Sequence, residues 1–183
     1  NADSLPDGSF TDTVTFTDVT SGAAQTRSAR LVVGEVASLP FLEDFEGGPV
    51  LLPWWLSTGT NNYRSQVTSA NGPHGGSGHL TMDSSVDDIY SRNELTLTID
   101  LANREHVVIT FWARSYSDEP DGPPPSPFIG GADFDGVAVS ADGTTWYEVQ
   151  GLRTLTGSYA QFTVDLDAAA ALHGLTYNAQ FRI

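Results

Sequence analysis

The sequence predicts an antiparallel all-β chain with an amino-terminal β-hairpin and one short helix, and three observations carry that prediction. Phe134–Ser140 and Thr145–Gln150 alternate apolar and polar residues and are joined by Ala141-Asp142-Gly143-Thr144. Asp-Gly between such runs marks a hairpin, because Gly accepts the positive φ of a tight turn. Thr and Val crowd the extended stretches, and these residue types favour pleated backbone. Gly, Pro and Asn clusters punctuate the sequence and break it into short segments.

In chain order, residues 1–34 form a hairpin of their own. Phe10, Val14 and Phe16 lie in a Thr-rich run, Ser21-Gly22-Ala23-Ala24 turns, and Thr26–Val33 returns. An isolated hairpin is marginal in water, so this pair needs a surface to pack on. Residues 35–40 are a linker, and a second module opens at Phe41. Between 49 and 78, Pro53-Trp54-Trp55, Asn61-Asn62-Tyr63 and the Gly72–Gly78 run predict long surface connections. His79–Asp83 and Glu94–Asp100 alternate, the latter placing Leu95, Leu97 and Ile99 on one face. Val107–Ala113 reads as a buried strand. Residues 117–133 contain three consecutive prolines without backbone donors and predict an irregular loop. A loop of that length in a compact domain points to function or to ordering by a partner. Tyr159–Asp165 is a further strand. Asp167–His173 is the one helix, with Asp at its start, alanines inside and Gly174 as its stop. Tyr177–Ile183 begins a strand that runs to the end of the sequence.

Composition narrows the function classes. Over 183 residues the formal net charge is −15, which disfavours nucleic acid and anionic membrane as partners. No apolar run reaches the length of a membrane span. There is no Cys, and all eight basic residues are Arg. Disulfides, thiolate nucleophiles, Schiff-base lysines and lysine isopeptide cross-links are therefore excluded. The chain opens at Asn1 rather than Met, which predicts a processed or excised boundary. Enzyme motifs are absent: the Gly75-Gly76-Ser77-Gly78-His79 stretch lacks the second Gly of a nucleophile elbow. His74 and His79 have no third ligand at metalloenzyme spacing.

Two stretches resemble known families. Leu5 to Glu35 resembles the last two strands of the bacterial immunoglobulin-like repeats of secreted multidomain proteins. Residues 41–183 are similar to bacterial relatives of the MAM-type adhesion domain. The likeness rests on Asp44-Phe45-Glu46, the Gly76–Met82 strand entry, Ser91-Arg92-Asn93-Glu94-Leu95, Phe111-Trp112-Ala113-Arg114 and the Phe134–Val149 hairpin. That resemblance implies a jelly-roll β-sandwich, secreted or held at the cell surface, whose closing acidic strand is missing here. An open slot in the sheet would then be filled by another chain, as in strand exchange, or by adjoining residues of a longer polypeptide. The resemblance also implies a structural Ca²⁺ held by Glu46, Asp44, the Gly76–Gly78 backbone around Ser77, and Asp83.

Other sites are read from the residues themselves. Asp133 and Asp135 precede Gly136, with Asp118, Glu119 and Asp121 nearby, as in a fragment of a calcium loop. Solvated turn carboxylates are the plainer alternative. Trp54, Trp55, Tyr63 and Tyr90, flanked by Arg64 and Arg92, could present aromatic faces and planar donors to a glycan. Trp112 and Trp146 stand at strand spacing and are assigned to the core. Ser140–Trp146 resembles the Asp-box of sialidase propellers, in which such residues brace a hairpin, so Asp142 is expected to cap the turn. The expected function is a non-catalytic extracellular adhesion or assembly module stabilised by calcium. The alternatives are a strand-exchanged filament subunit and a carbohydrate-binding module of a glycan-degrading enzyme.

Overall fold

The computed structural model describes residues 8–33, 36–47, 55–116 and 120–183. It divides the chain into two compact units, Asn1–Glu35 and Val36–Ile183. The fold is all-β with a single short helix among the described residues, in line with the sequence.

In the first unit, β1 (Gly8–Thr17) pairs antiparallel with β2 (Ala24–Val33) over their full length, from Gly8↔Val33 to Thr17↔Ala24. The turn lies a few residues earlier than the Gly22 region suggests. Asp18 nucleates it, its Oδ1 accepting from Thr20 N at 2.8 Å and its Oδ2 from Ser21 Oγ at 2.6 Å. Those donors hold the Asp18 carboxyl below its ordinary pKa. Val14 and Phe16 share one face of the ribbon and are both exposed.

The second unit is built from β3 (Ala37–Ser38), β4 (Trp55–Gly59), β5 (Tyr63–Thr68), β6 (His79–Ser84), β7 (Asn93–Asp100), β8 (Val108–Ala113), β9 (Phe128–Ile129), β10 (Gly136–Val139), β11 (Thr145–Gly151), β12 (Ala160–Asp165), α1 (Leu166–His173) and β13 (Phe181–Arg182). The expected linker thus contains β3, which runs parallel to β7 with Ala37 buried. The expected surface connections at 49–78 contain two strands, because the alternation of Trp55-Leu56-Ser57-Thr58 survives between its Pro and Gly neighbours. The proline-rich loop also supplies the two-residue strand β9, paired with Thr145 and Trp146.

One layer runs β4 and β3, then β7, β13, β10, β11 and β9; the link from β13 to β10 is a single antiparallel bridge, Ser140↔Arg182. β8 and β12 pair antiparallel in a second layer. Leu97, Ile99, Val139 and Phe181 from the first layer meet Ile109, Phe111 and Val164 from the second, making a sandwich-like core. α1 contributes Leu166 to this core and also buries Ala170. Its N-cap is Asp165, whose carboxylate accepts from Ala168 N, and Gly174 in the left-handed region is its stop. Asp167, expected at the helix start, instead accepts from His106 N, Val107 N and the Tyr177 hydroxyl. These donors lower the Asp167 pKa, while burial and the same carboxylate raise that of Tyr177.

Candidate functional site: a slot between two strands

β13 is short and stops inside the sheet. Ile183 exchanges both backbone bonds with Leu97 of β7, at 2.9 and 3.0 Å, and Arg182 exchanges both with Ser140 at 2.9 Å. The chain thus bonds alternately to β7 and β10, as a central antiparallel strand does. The alternation predicts what lies beyond it. On β7, Asn93 and Leu95 have the parity of Leu97, so their N–H and C=O groups face the same side. On β10, Gly136 and Ala138 have the parity of Ser140. Among the described residues no strand pairs with these two edges there. These edges lie directly in line with β13, over about 13 Å for four residues at strand rise.

Burial changes where β13 ends. In the row Leu97–Ile183–Val139 the flanking residues are 3 % and 1 % exposed. One row further, Leu95 and Val137 point to the same core face but are only half-buried. At the far end Arg92 reaches across, donating from Nη1 to Gly131 O at 2.6 Å. Its Nε lies 3.1 Å from Glu94 Oε1 but is misaligned for a hydrogen bond.

The near end is anchored by the β10–β11 turn. Asp142 Oδ1 accepts from Thr144 N and Thr145 N, each at 2.7 Å, and from Ser140 Oγ at 3.0 Å, so it braces the hairpin as the Asp-box likeness implies. Those bonds, the Thr145 amide first, pull its pKa down to about 2. Gly143 sits at φ 72°, and the Arg182 guanidinium lies so close that a Cβ would overlap its Nη1. The left-handed φ favours glycine, and a Cβ there would make the Arg182 side chain shift.

The residues proposed for calcium are engaged by protein donors. Glu46 and the Gly76–Gly78 segment do meet, but as carboxylate and amides: Glu46 Oε1 accepts from Ser77 N at 2.7 Å and Gly78 N at 2.8 Å. Those amides lower its pKa. Asp44 Oδ1 accepts from Glu46 N at 3.0 Å. Asp83 is taken by Arg64 in a two-pronged pair at 2.6 and 2.7 Å, on the β5–β6 ribbon. Asp135 Oδ2 accepts from Asp121 N at 2.8 Å, and Asp133 from the Tyr90 hydroxyl, which raises the Tyr90 pKa. Asp118 and Glu119 lie outside the described residues. No group of three or more His, Asp or Glu among the described residues is placed to hold a metal ion.

The aromatic set is likewise dispersed. Trp54 lies outside the described residues. Trp55 packs against Phe41 and Phe45, with its Nε1 donating to Glu43 Oε2 at 3.2 Å, and so serves the fold. Tyr63 and Tyr90 are exposed but sit on separate elements, Arg64 is bound to Asp83, and Arg92 spans the slot. Trp112, assigned to the core by strand spacing, is 45 % exposed. β8 turns Ile109 and Phe111 inward and Val108, Thr110 and Trp112 outward. His74 stacks on Trp112 at 3.9 Å, and Arg114 lies over Tyr159 at 4.6 Å while donating to the carbonyls of Asn71, Gly72 and Gly157. These contacts fasten the 69–78 loop to the outer face of β8 and β12. Phe111-Trp112 followed by Arg114 on β8, with Tyr159 just before β12, were the signal for this clasp, once the outward parity was known.

Comparison with known proteins gives no match: no family model, no curated protein and no solved structure corresponds to the chain.

Proposed function

We propose that the chain is a non-catalytic adhesion or assembly module of a secreted or surface-held bacterial protein, a jelly-roll sandwich preceded by a β-hairpin through which copies associate. The observation that supports this is the two-stranded ribbon β1–β2, which pairs with no other strand among the described residues and exposes Val14 and Phe16. Such a ribbon is marginal unless it packs or pairs, and a free strand edge is a template for a partner.

Sedimentation of the intact chain and of a chain starting at Val36 tests the reading. Association in the intact chain and its loss in the shortened one are expected, with far-ultraviolet circular dichroism confirming that the shortened chain keeps its strands. Equal association in both would remove the hairpin from the assembly. A glycan-binding reading draws on one observation, the exposed Trp112 and Tyr116 beside Arg114. It expects retention on a glycan array that Trp112→Ala abolishes.

A further inference from the structure

We infer that the free edge of β12, with the groove beside it, takes up an extended basic segment of a partner protein. The segment adds a strand to β12, seats an apolar side chain beside Val164 and sets a basic one against Asp165. The site lies within the second unit and goes beyond the assembly reading, on which it does not rest.

The edge follows from the hydrogen bonds. β12 pairs antiparallel with β8 from Ala160↔Ala113 to Asp165↔Val108, and Leu166 N donates to Val107 O at 3.0 Å in the same register. Bonded pairs alternate along an antiparallel ladder. Phe162 and Val164 therefore turn their backbone groups to β8, while Gln161, Thr163 and Asp165 turn theirs away. Among the described residues no strand pairs with that side of β12. A groove of about 310 Å³ lies along it, walled by β11 at Val149 and by α1 at Ala168 and Leu172, with no β8 residue in its lining. Ligand pockets run from about 300 to 1,000 Å³, so this one suits the side chains of a peptide better than a whole organic ligand.

The rows set the side-chain pattern of the occupant. A residue opposite Val164 points inward with it, into the groove against Val149 and Ala168, and calls for an apolar side chain. Leu172, which also lines the groove and is 78 % exposed, offers it further apolar surface. Residues opposite Thr163 and Asp165 point outward, as those two do. Charge then selects among such segments. Glu148 in the groove wall is met by Arg153 at 2.5 Å, whereas no ion pair among the described residues involves Asp165. Asp165 Oδ1 accepts from Ala168 N at 2.9 Å, a bond that caps the helix and leaves the negative charge without a cation. Arg or Lys opposite Asp165 supplies one, and the net charge of −15 draws a basic segment in from a distance. Main-chain bonds give such a complex its affinity and the alternate side chains give it choice. No native pairing is broken, because β12 keeps every bond to β8.

The probe is the peptide acetyl-Thr-Arg-Val-Thr-Val-Arg-Thr-amide, whose pattern reads the same in either strand direction, titrated into the intact chain at low salt. Nuclear magnetic resonance is expected to show saturable shifts at the Gln161, Thr163 and Asp165 amides and slowed exchange at Thr163. Thr163→Pro removes an N–H that faces away from β8 and spares the ladder, so it should abolish the shifts. Ala168→Phe fills the groove and should do the same. Asp165→Asn keeps a helix cap and loses only the charge, so it should weaken binding by about two- to fivefold. The peptide with serine in place of both valines, or glutamate in place of both arginines, should not bind. Far-ultraviolet circular dichroism checks the fold of each variant; should Thr163→Pro or Ala168→Phe unfold, the other decides. Absence of shifts at the three amides of the intact chain at millimolar peptide overturns the inference. So does binding that survives both Thr163→Pro and Ala168→Phe. Association between copies that Thr163→Pro abolishes, read by sedimentation, would give the edge to a second copy and overturn the partner assignment.

Discussion

The two halves of the β7–β10 region contain similar residues and end up in different environments. Where β13 lies between them, Leu97 and Val139 are sealed and the backbone bonds are complete. One row further, past the last residue of the sequence, Leu95 and Val137 have the same inward parity and are half-buried. The difference teaches that apolar identity alone does not make core. A sheet position is buried when its lateral neighbours are present as well as its opposite layer.

The largest effect that sharpens this contrast is at Phe181, which is 1 % exposed. Phe181→Ala is expected to lower unfolding free energy by about 3–5 kcal/mol, whereas Leu95→Ala in the open half should cost about 1 kcal/mol, read by urea denaturation of the monomer. Equal losses would mean that the open half is already closed. Next comes Gly143→Ala, which places a side chain at positive φ and pushes Arg182 off the turn. A loss of about 1–2 kcal/mol is expected, together with faster amide exchange at Arg182 and Ile183, since the anchor of the filled half is released.

A smaller effect is expected from Asp142, whose carboxyl is held at about 2 against an ordinary 3.8. A depressed carboxyl stabilises the fold above its unfolded pKa, and that contribution fades as pH falls from about 3.8 towards 2. Asp142→Asn should therefore lower the melting temperature at neutral pH and flatten that part of the acid limb. Smallest is His79, on β6 away from the slot, whose pKa is lowered by burial and then by the Arg114 charge. A depressed imidazole is kept neutral in the fold, so stability is full above about 6.5 and falls as the unfolded state takes up protons below it. His79→Gln should remove that slope in thermal melts across about pH 5–8; an unchanged slope would assign it to another group.

Much of this architecture is legible in the sequence where local chemistry and tertiary context agree. The Asp142-Gly143 turn, the Leu95-Leu97-Ile99 face and the alanine-rich helix all appear at or near their expected positions. β4 and β5 were obscured because Pro, Gly and Asn crowd their ends, although Trp55 and Leu56 alternate within. Strand parity separates Phe111 from Trp112 but does not say which faces the core, and the structure turns Trp112 outward. The metal set shows a different limit. The resemblance placed Glu46 with the Gly76–Gly78 segment as calcium ligands; a carboxylate near glycines is equally suited to amides, and its Oε1 accepts from Ser77 N and Gly78 N. Gly76 is needed there because a Cβ would come within 2.2 Å of Glu46 Oε1. Asp83 was spoken for by an arginine nineteen residues earlier, a pairing set by the β5–β6 register rather than by any motif.

The outer edges of β1 and β2, which pair with no other strand among the described residues, have a consequence for solution behaviour. Many proteins guard such edges with lysine, and this sequence has none. A net charge of −15 is the remaining repulsion between copies, and its reach shrinks from about 10 Å at 0.1 M salt to about 3 Å at 1 M. If the ribbon pairs between copies, ionic strength is expected to gate the encounter, dilute buffer opposing it and brine permitting it.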